Sequence, residues 1–314
     1  MLLAALAVAV GYLAMSHAAL EALLLGLVAA VILAAGERYL TRAGVLDFPL
    51  DRMSSVNLVA RPPAGEQRVW LVAHLDSKSQ TIPMLLRVAA VALFAVLFTV
   101  LLISCALIAM LEPHSSLERS LAHLAHYLSV AAAFSLIPLM ACFIGNRSPG
   151  AGDNASGVAA VLLAAEALRD SQVGILITSA EELGLAGARA FARSNPRASI
   201  AINCDTVDSA GAFLCMRSGK ASERLETAID RCLTTLGLAT QGGRGGSTLR
   251  PMLPGVLADN VAFTDVGWES FTLSRGNLAT LARVHTSRDV ADSIDGTGIA
   301  QAALLMTAIV QELT

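Results

Sequence analysis

Two stretches of this 314-residue chain, 88–111 and 121–145, contain no Asp, Glu, Lys or Arg. Each is longer than the roughly 18 apolar residues that indicate a transmembrane helix. A third apolar stretch, 1–35, has Glu21 as its one charged side chain. A single helix over that stretch would rise about 52 Å, against a hydrocarbon core of roughly 30 Å. We expect one overhanging span or, as we favour, two short spans that turn near 16–21. A cleaved signal peptide is the alternative, disfavoured because no basic segment precedes the apolar one.

The composition supports a membrane protein with a folded soluble part. Hydrophobic residues make up 55% of the chain and charged residues 15%, whereas soluble domains average about 45–50% and about 25%. This excludes a wholly soluble protein and, with a net charge of −3, a disordered one. The chain has no basic excess and no Lys/Arg cluster, which excludes nucleic acid as a partner and leaves the lipid bilayer. The sequence does not indicate an oligomeric state.

The remaining residues, about 37–82 and 147–314, have the character of a soluble α/β domain. Short β-rich segments alternate with helical patterns, which is typical of a sheet covered by helices. Residues 241–247 (QGGRGGS) are interpreted as a flexible loop. We predict strands at 69–73, 174–178, 200–203, 212–216 and 270–273, and helices at 156–169, 221–236 and 298–313.

Several acidic and histidine side chains follow these predicted strands. In α/β sheets, the loops after the carboxyl ends of the strands form the ligand crevice, and imidazole and carboxylate groups suit zinc. Taken singly, each residue is more simply explained as a surface pair, a turn residue or a helix cap. Their common location at strand ends favours a metal site. The candidates are His74, Asp76, Asp153, Glu181, Glu182, Asp205 and His285.

The motifs that carry these residues occur in an order that resembles the M28 family of zinc aminopeptidases. The resemblance covers most of the soluble portion and implies a three-layer α/β/α sandwich with a mixed central sheet. The apolar stretches lie outside it. The motifs are HLD at 74–76, GAGDNASGVAAVL around Asp153, SAEELGLAGA at 179–188, INCDTVD at 202–208, ADNVAF at 258–263 and VHTSRD at 284–289.

The resemblance also implies a di-zinc centre and its ligands. Asp153 would bridge the two zinc ions. His74 and Asp205 would complete one metal site, and Glu182 and His285 would complete the other.

Two further carboxylates receive roles from the resemblance. Glu181 would be the general base that takes a proton from a zinc-bridging water and passes it to the leaving amine. Asp76 would orient the His74 imidazole. The peptide bond between Asp153 and Asn154 would be cis.

The chain departs from the family pattern near the substrate. The family often has Tyr beside the last histidine, where this chain has Val284, and often His where this chain has Asn260. Stabilisation of the tetrahedral intermediate would then come from zinc alone or from another donor. We take Asn260 and Arg275 as candidate substrate-binding residues, with Arg283 as a further donor.

The two uncharged stretches lie between His74 and Asp153, which are 79 residues apart. Because both side chains must reach one metal, the two spans must form a hairpin that returns to the side it left. The predicted organisation is an N-terminal transmembrane region (1–36), the first part of the peptidase domain (37–82), an inserted transmembrane hairpin (83–146) and the rest of the peptidase domain (147–314). The chain is then a multi-pass membrane protein with about four spans, or three.

Basic residues predict which side of the membrane the peptidase domain occupies. The far turn of the hairpin carries Arg119, whereas the opposite side carries more positive charge. The positive-inside rule therefore places the peptidase domain in the cytoplasm. The basic residues on that side are Arg38, Arg42, Lys78, Arg87 and Arg147.

These observations predict a membrane-anchored di-zinc exopeptidase that removes N-terminal residues from peptides. Two alternatives stay open: a glutaminyl-cyclase-like acyltransferase with one zinc, and a catalytically inactive subunit of a membrane complex. The presence of both His74 and Asp205 favours two metals over one. Because every ligand position is filled, an active enzyme is favoured over an inactive subunit.

Overall fold

The computed structural model describes residues 1–43, 54–62, 67–168, 172–197, 199–238, 240, 248–252 and 256–314. The chain divides into two compact units. The helical unit comprises Met1–Tyr39 and Gln80–Ile144, and the sheet unit comprises Leu40–Ser79 and Gly145–Thr314. The loop predicted at 241–247 lies outside the described residues.

The first apolar stretch breaks into two helices, as predicted. The break falls at 16–18, where the Ser16 amide donates to the carbonyls of Tyr12 and Leu13 and His17 adopts a positive φ of 58°. The helices built on the apolar stretches are α1 (Leu2–Met15), α2 (Ala19–Ala43), α3 (Met84–Ile108), α4 (Ser116–Ser135) and α5 (Ile137–Met140).

Three helical segments among the described residues are long and apolar enough to cross a membrane: Ala19–Gly36, Met84–Ile108 and Ser116–Met140. Helix α1 has 14 residues and therefore rises only about 21 Å, less than the roughly 30 Å of a hydrocarbon core. Length thus supports three full spans and one shorter apolar helix.

Helix α4 packs against both α1 and α3. A Cβ at Gly11 of α1 would collide with the Ser129 side chain of α4, so this glycine allows the two helices to approach closely. Nδ1 of His17 lies 2.7 Å from Oε1 of Glu118, and the Ser115 hydroxyl accepts a hydrogen bond from the Glu118 amide at the start of α4. The turn after α1 and the first turn of α4 are therefore joined through Glu118.

The described strands of the sheet unit form one seven-stranded mixed sheet in the order β1-β5-β2-β6-β9-β7-β8. The four central strands, β5, β2, β6 and β9, are parallel. Strand β1 pairs antiparallel with β5, and β7 pairs antiparallel with β9. Strand β8 pairs parallel with β7. Strands β3 and β4 pair separately. The strands are β1 (Leu58–Ala60), β2 (Val69–His74), β3 (Ser79–Gln80), β4 (Ile144–Gly145), β5 (Val173–Thr178), β6 (Ile200–Val207), β7 (Ala212–Arg217), β8 (Leu249–Pro251) and β9 (Glu269–Gly276).

Helices cover both faces of the sheet, which confirms the predicted three-layer α/β/α fold. All six residues of β2 are buried, as expected for a strand covered on both faces. Because successive side chains point to opposite faces, Leu71 joins one core cluster and Trp70 joins the other. The first cluster includes residues of α6 (Ser156–Ala167), α8 (Glu223–Thr235) and α11 (Thr297–Leu313), and the second includes residues of α7 (Ala186–Ser194) and α9 (Asn260–Thr264).

All five predicted strands and all three predicted helices are confirmed, with ends that differ by up to four residues. The prediction missed the strands β1, β3, β4 and β8 and the helices α7, α9 and α10 (Leu278–Arg283). Strands β1 and β8 have three residues each and α9 has five. Segments this short do not complete a readable hydrophobic period.

The topology places a switch point at the carboxyl ends of the central strands. Strands β5 and β6 flank β2 on opposite sides. Helix α6, which precedes β5, packs on one face, and α7, which follows β5, packs on the other. Ligand sites in α/β sheets form at such a switch point, outside the carboxyl ends of the strands.

Candidate metal centre

The candidate ligands come from three neighbouring strands and two loops. His74 is the last residue of β2, and Glu181 and Glu182 follow the end of β5. Asp205 lies in β6 where its pairing with β9 becomes irregular. Irregularities of this kind redirect side chains at the rim of a sheet.

The first group, called the His74 cluster, consists of His74, Asp153 and Asp205. Nε2 of His74 lies 3.0 Å from Oδ1 of Asp153 and 3.6 Å from Oδ1 of Asp205. The three potential ligand atoms all lie within 4.8 Å of one another. One imidazole nitrogen and two carboxylate oxygens therefore converge on one point.

The second group, called the His285 cluster, consists of Asp153, Glu182 and His285. Nε2 of His285 lies 2.9 Å from Oδ2 of Asp153 and 3.0 Å from Oε1 of Glu182. Asp153 thus turns one carboxylate oxygen toward each cluster.

The donor set fits zinc. Imidazole nitrogens and carboxylate oxygens are zinc ligands, and each cluster has one of the former and two of the latter. Oε1 of Glu182 is buried and lies 3.0 Å from Nε2 of His285. A carboxylate oxygen and an imidazole nitrogen therefore face each other at the distance at which both could bind one zinc ion.

Asp76 contacts His74 in a different way from the one we expected. The Nδ1 atom of His74 is 2.9 Å from the main-chain carbonyl oxygen of Asp76, whereas the Asp76 carboxylate is 3.9 Å away. That carboxylate instead accepts hydrogen bonds from the amides of Glu181 and Glu182, each at 3.0 Å. The carbonyl therefore orients the imidazole, with Nε2 toward the carboxylates, and the carboxylate holds the backbone of both glutamates.

The loop that carries Asp153 is held from two directions. The carboxylate of Asp289 accepts hydrogen bonds from the amides of Gly152, at 2.7 Å, and Asp153, at 3.1 Å. On the other side, Asn154 donates to the Cys204 carbonyl. The Asp153–Asn154 peptide is cis, as expected.

Burial and neighbouring charges set the electrostatics of the site. Burial, with the negative charges of Asp205, Asp259 and Glu182, raises the pKa of Glu181 well above its usual range, against the opposing charge of His74. A raised pKa suits a group that must accept a proton and give it up again.

The pKa of Asp153, the residue common to both clusters, is shifted in the opposite direction. Burial alone would raise the pKa of Asp153, but hydrogen bonds from His285 and His74 outweigh it and hold the pKa below its usual range. Asp153 is therefore a carboxylate, the form that binds metal.

The two candidate substrate-binding residues have structural contacts instead. Asn260 is fully buried, accepts a hydrogen bond from the Thr272 hydroxyl and donates toward the Met216 carbonyl. Arg275 stacks on the Phe213 ring and donates to Gln301 of α11 and to the Gly211 carbonyl. These interactions engage both side chains within the sheet unit, and a role for either of them in substrate binding stays a prediction.

Arg283, the further candidate donor, also has a structural partner. Arg283 donates to the Asp208 carboxylate at 2.7 Å, and the same carboxylate accepts from Thr280. Val284, which replaces the tyrosine of the family pattern, is 3% exposed. These residues shape the loop before His285.

Residues 106–310, which are 205 of the 314 residues, match the model of Peptidase family M28. The chain belongs to peptidase family M28. This membership confirms the resemblance to the M28 family that the sequence motifs indicate. His74 and Asp76 precede the matched range, and the other candidate ligands of this M28 chain lie within it. No curated protein matches the chain.

Solved structures resemble this M28 chain at low sequence identity. The aminopeptidase from Aneurinibacillus sp. strain AM-1 is 17% identical with a TM-score of 0.48, over 82% of this chain and 47% of its own. LapB from Legionella pneumophila is 16% identical with a TM-score of 0.47, over 82% and 54%. A glutaminyl cyclase from Porphyromonas gingivalis is 16% identical with a TM-score of 0.47, over 82% and 77%. The chain spans about half the length of the first two.

Three polar residues near the clusters of this M28 chain were missed as site residues. Lys78 contacts Glu182, Asp289 holds the Asp153 loop, and Asp259 is fully buried with a hydrogen bond from Thr178 at 2.5 Å. Burial and the charges of its acidic neighbours raise the pKa of Asp259 to about 6. Asp259 and Asp289 lie inside two of the motifs that resemble the family, and this position in the sequence could have indicated them as site residues.

Zinc binding to the metal-free protein should release protons at pH 7. Hydrogen bonds with Asp153 and Glu182 outweigh burial and raise the pKa of His285 to about 9. Burial lowers the pKa of His74, but hydrogen bonds with Asp153 and Asp205 outweigh it and raise the pKa well above its usual range. His285 therefore holds a proton at pH 7, the raised pKa of His74 favours the same form, and a metal ligand must lose that proton. Calorimetric titration in buffers of different ionisation enthalpy should detect this release, and zinc affinity should rise with pH up to about 9. Binding without proton release at pH 7 would contradict the raised pKa values of these two imidazoles.

Asp289→Ala should lower both thermal stability and zinc affinity. The substitution leaves the buried amides of Gly152 and Asp153 without an acceptor, at a cost of about 1–3 kcal/mol for each. Thermal unfolding and zinc titration measure the two effects. Asp292→Ala, at a nearby exposed carboxylate, is the matched control and should behave as wild type. Wild-type values for Asp289→Ala would show that the loop does not depend on this carboxylate.

Proposed function

We propose that this chain is a membrane-anchored di-zinc exopeptidase, an aminopeptidase that removes N-terminal residues from peptides. The observation that carries the proposal is the sharing of Asp153 between the two clusters, with one oxygen 3.0 Å from His74 Nε2 and the other 2.9 Å from His285 Nε2. A carboxylate that faces two imidazoles in this way is suited to bridge two metal ions. The substrate implied is a peptide with a free N-terminus.

The proposal gives each ligand a place in the centre. His74 and Asp205 would hold one zinc, Glu182 and His285 the other, and Asp153 both. Two zinc ions, when bound, lower the pKa of water and polarise the scissile carbonyl.

Glu181 is the proposed general base. Its side chain lies in neither cluster among the described residues, so it is left free to act on water. It is 8% exposed, and its amide is held by the Asp76 carboxylate. With a pKa above that of an ordinary carboxyl group, it can take a proton from water and pass it to the leaving amine.

The completeness of both clusters supports hydrolysis with two metals over the two alternatives. A one-zinc acyltransferase of the glutaminyl cyclase type needs only one of the clusters. An inactive subunit needs neither. Here both imidazoles and all three carboxylates of the clusters converge.

Membrane anchoring is supported by the three long apolar helices. If α2, α3 and α4 cross the bilayer in turn, the chain enters the sheet unit after α2, leaves through α3 and returns through α4. The segments that hold His74 and Asp153 then lie on one side. The distribution of basic residues favours the cytoplasm for that side.

Purified full-length protein should contain about two zinc ions per chain, and Glu181→Gln should keep them while losing hydrolysis. Removing a general base costs about 10²- to 10⁴-fold in rate. Metal analysis and the release of N-terminal amino acids from peptides are the two measurements. A peptide that begins with glutamine distinguishes hydrolysis, which frees glutamine, from cyclisation, which does not.

The matched control for this experiment is Glu166→Gln, at an exposed glutamate of α6, which should leave both zinc content and hydrolysis unchanged. Unchanged hydrolysis in Glu181→Gln would refute its role as the base. Protein that binds no zinc would refute the proposed function as a whole.

A reporter inserted between Glu112 and Pro113 should lie outside the cytoplasm. This position precedes Ser115 and Glu118, so the cap of α4 and the contact with His17 are preserved. A reporter that is active only outside the cytoplasm should be active there and inactive when fused after Thr314. The reverse pattern would place the peptidase domain on the outer side, and activity at both positions would contradict the hairpin.

A further inference from the structure

The two carboxylate oxygens of Glu182 have different partners. Oε1 is buried and lies 3.0 Å from Nε2 of His285. Oε2 accepts a hydrogen bond from the ammonium group of Lys78. The Glu182 side chain is 8% exposed, so a loss of either partner would not be compensated freely by water.

Lys78 lies on a segment whose backbone is fixed on both sides. The Ser77 hydroxyl donates to the Ser148 carbonyl at 3.3 Å, and the Ser79 hydroxyl accepts from the Arg147 amide at 2.9 Å. The backbone of Lys78 is thereby fixed, which limits the positions that its ammonium group can reach.

We propose that Lys78 is a positioning residue that holds Glu182 by Oε2 and leaves Oε1 alone to bind the metal ion of the His285 cluster. The proposal rests on the di-zinc function proposed above. Groups that hydrogen-bond to metal ligands orient those ligands, and their removal typically lowers metal affinity about 10- to 100-fold.

Charge gives a second reason for a lysine at this position. Asp153 and Glu182 place two carboxylates in the His285 cluster, and like charges at short range oppose one another where water is scarce. An ammonium group bound to the outer oxygen of Glu182 offsets part of this repulsion without occupying a ligand position.

The contact predicts an asymmetric effect on the two clusters. Among the described residues, the hydrogen bond of Lys78 is to Glu182, which belongs to the His285 cluster and not to the His74 cluster. Loss of Lys78 should therefore weaken one zinc site and spare the other.

The test is zinc titration of full-length, metal-free protein in detergent against a chelator of known affinity. Lys78→Met should weaken one of the two sites about 10- to 100-fold and leave the other unchanged. Lys78→Arg keeps the charge and the donor and should restore most of the affinity. Lys220→Met is the matched control, since Lys220 is the other lysine of the chain and is exposed.

A second comparison separates this role from a merely structural one. If Lys78 acts through Glu182, then Lys78→Met should cause no further loss when it is added to Glu182→Gln, because coupled residues are not additive. This double variant also decides the proposal if Lys78→Met alone lowers protein yield, because both proteins in the comparison lack the ligand carboxylate.

The outcomes separate this proposal from the proposed function. Equal weakening of both sites, no weakening, or additive loss in the double variant would overturn the role of Lys78. The wild-type titration tests the function: one bound zinc would refute the di-zinc centre, and the Lys78 proposal would then be decided by whether Lys78→Met weakens that one site. A wild-type protein that binds no zinc would overturn both.

Discussion

The carboxylate of Asp153 lies between two imidazoles, and the rest of the site is arranged around it. Each of its oxygens is within about 3 Å of one histidine Nε2. A carboxylate at this depth is costly unless it is paired, and the two imidazoles provide the pairing in the absence of metal. The same geometry offers one oxygen to each of two cations. The neighbouring interactions keep this carboxylate in place. They include the hydrogen bonds from the Gly152 and Asp153 amides to Asp289 and the hydrogen bonds of the Asn154 side chain.

The backbone around Asp153 leaves no room for substitution. A Cβ at position 157 would collide with the Asn154 side chain and with the Cys204 carbonyl. The Asn154 side chain joins the first turn of α6 to β6, because it accepts from the amides of Gly157 and Thr206 and donates to Cys204. The small residues of the GAGDNASG motif are thus explained by packing between a helix and a strand, as well as by chemistry.

A short segment that begins at the last residue of β2 contributes to the site in three ways. His74 is a candidate ligand, the Asp76 carboxylate holds the amides of Glu181 and Glu182, and Lys78 binds the outer oxygen of Glu182. Because β2 and β5 are parallel neighbours, with His74 opposite Thr178, the residues after each strand meet at one edge. All of these contacts are made within the sheet unit, by residues that precede Gln80 or follow Ile144.

The sequence by itself was sufficient for the apolar helices, the alternation of strands and helices, and the residue types of a zinc site, because hydrophobic periodicity and strand-end motifs are local properties. Only the tertiary structure decided which polar groups face one another. Asp259 and Asn260 are adjacent in one motif, yet Asp259 hydrogen-bonds Thr178 beside the glutamates whereas Asn260 bonds Thr272. Neighbouring side chains at the start of a helix point in directions about 100° apart, so adjacency in a motif does not imply a shared role. The main-chain carbonyl of Asp76 likewise contacts His74, whereas its carboxylate binds the amides of the glutamates. These two contacts depend on how the loops after β2 and β5 pack together.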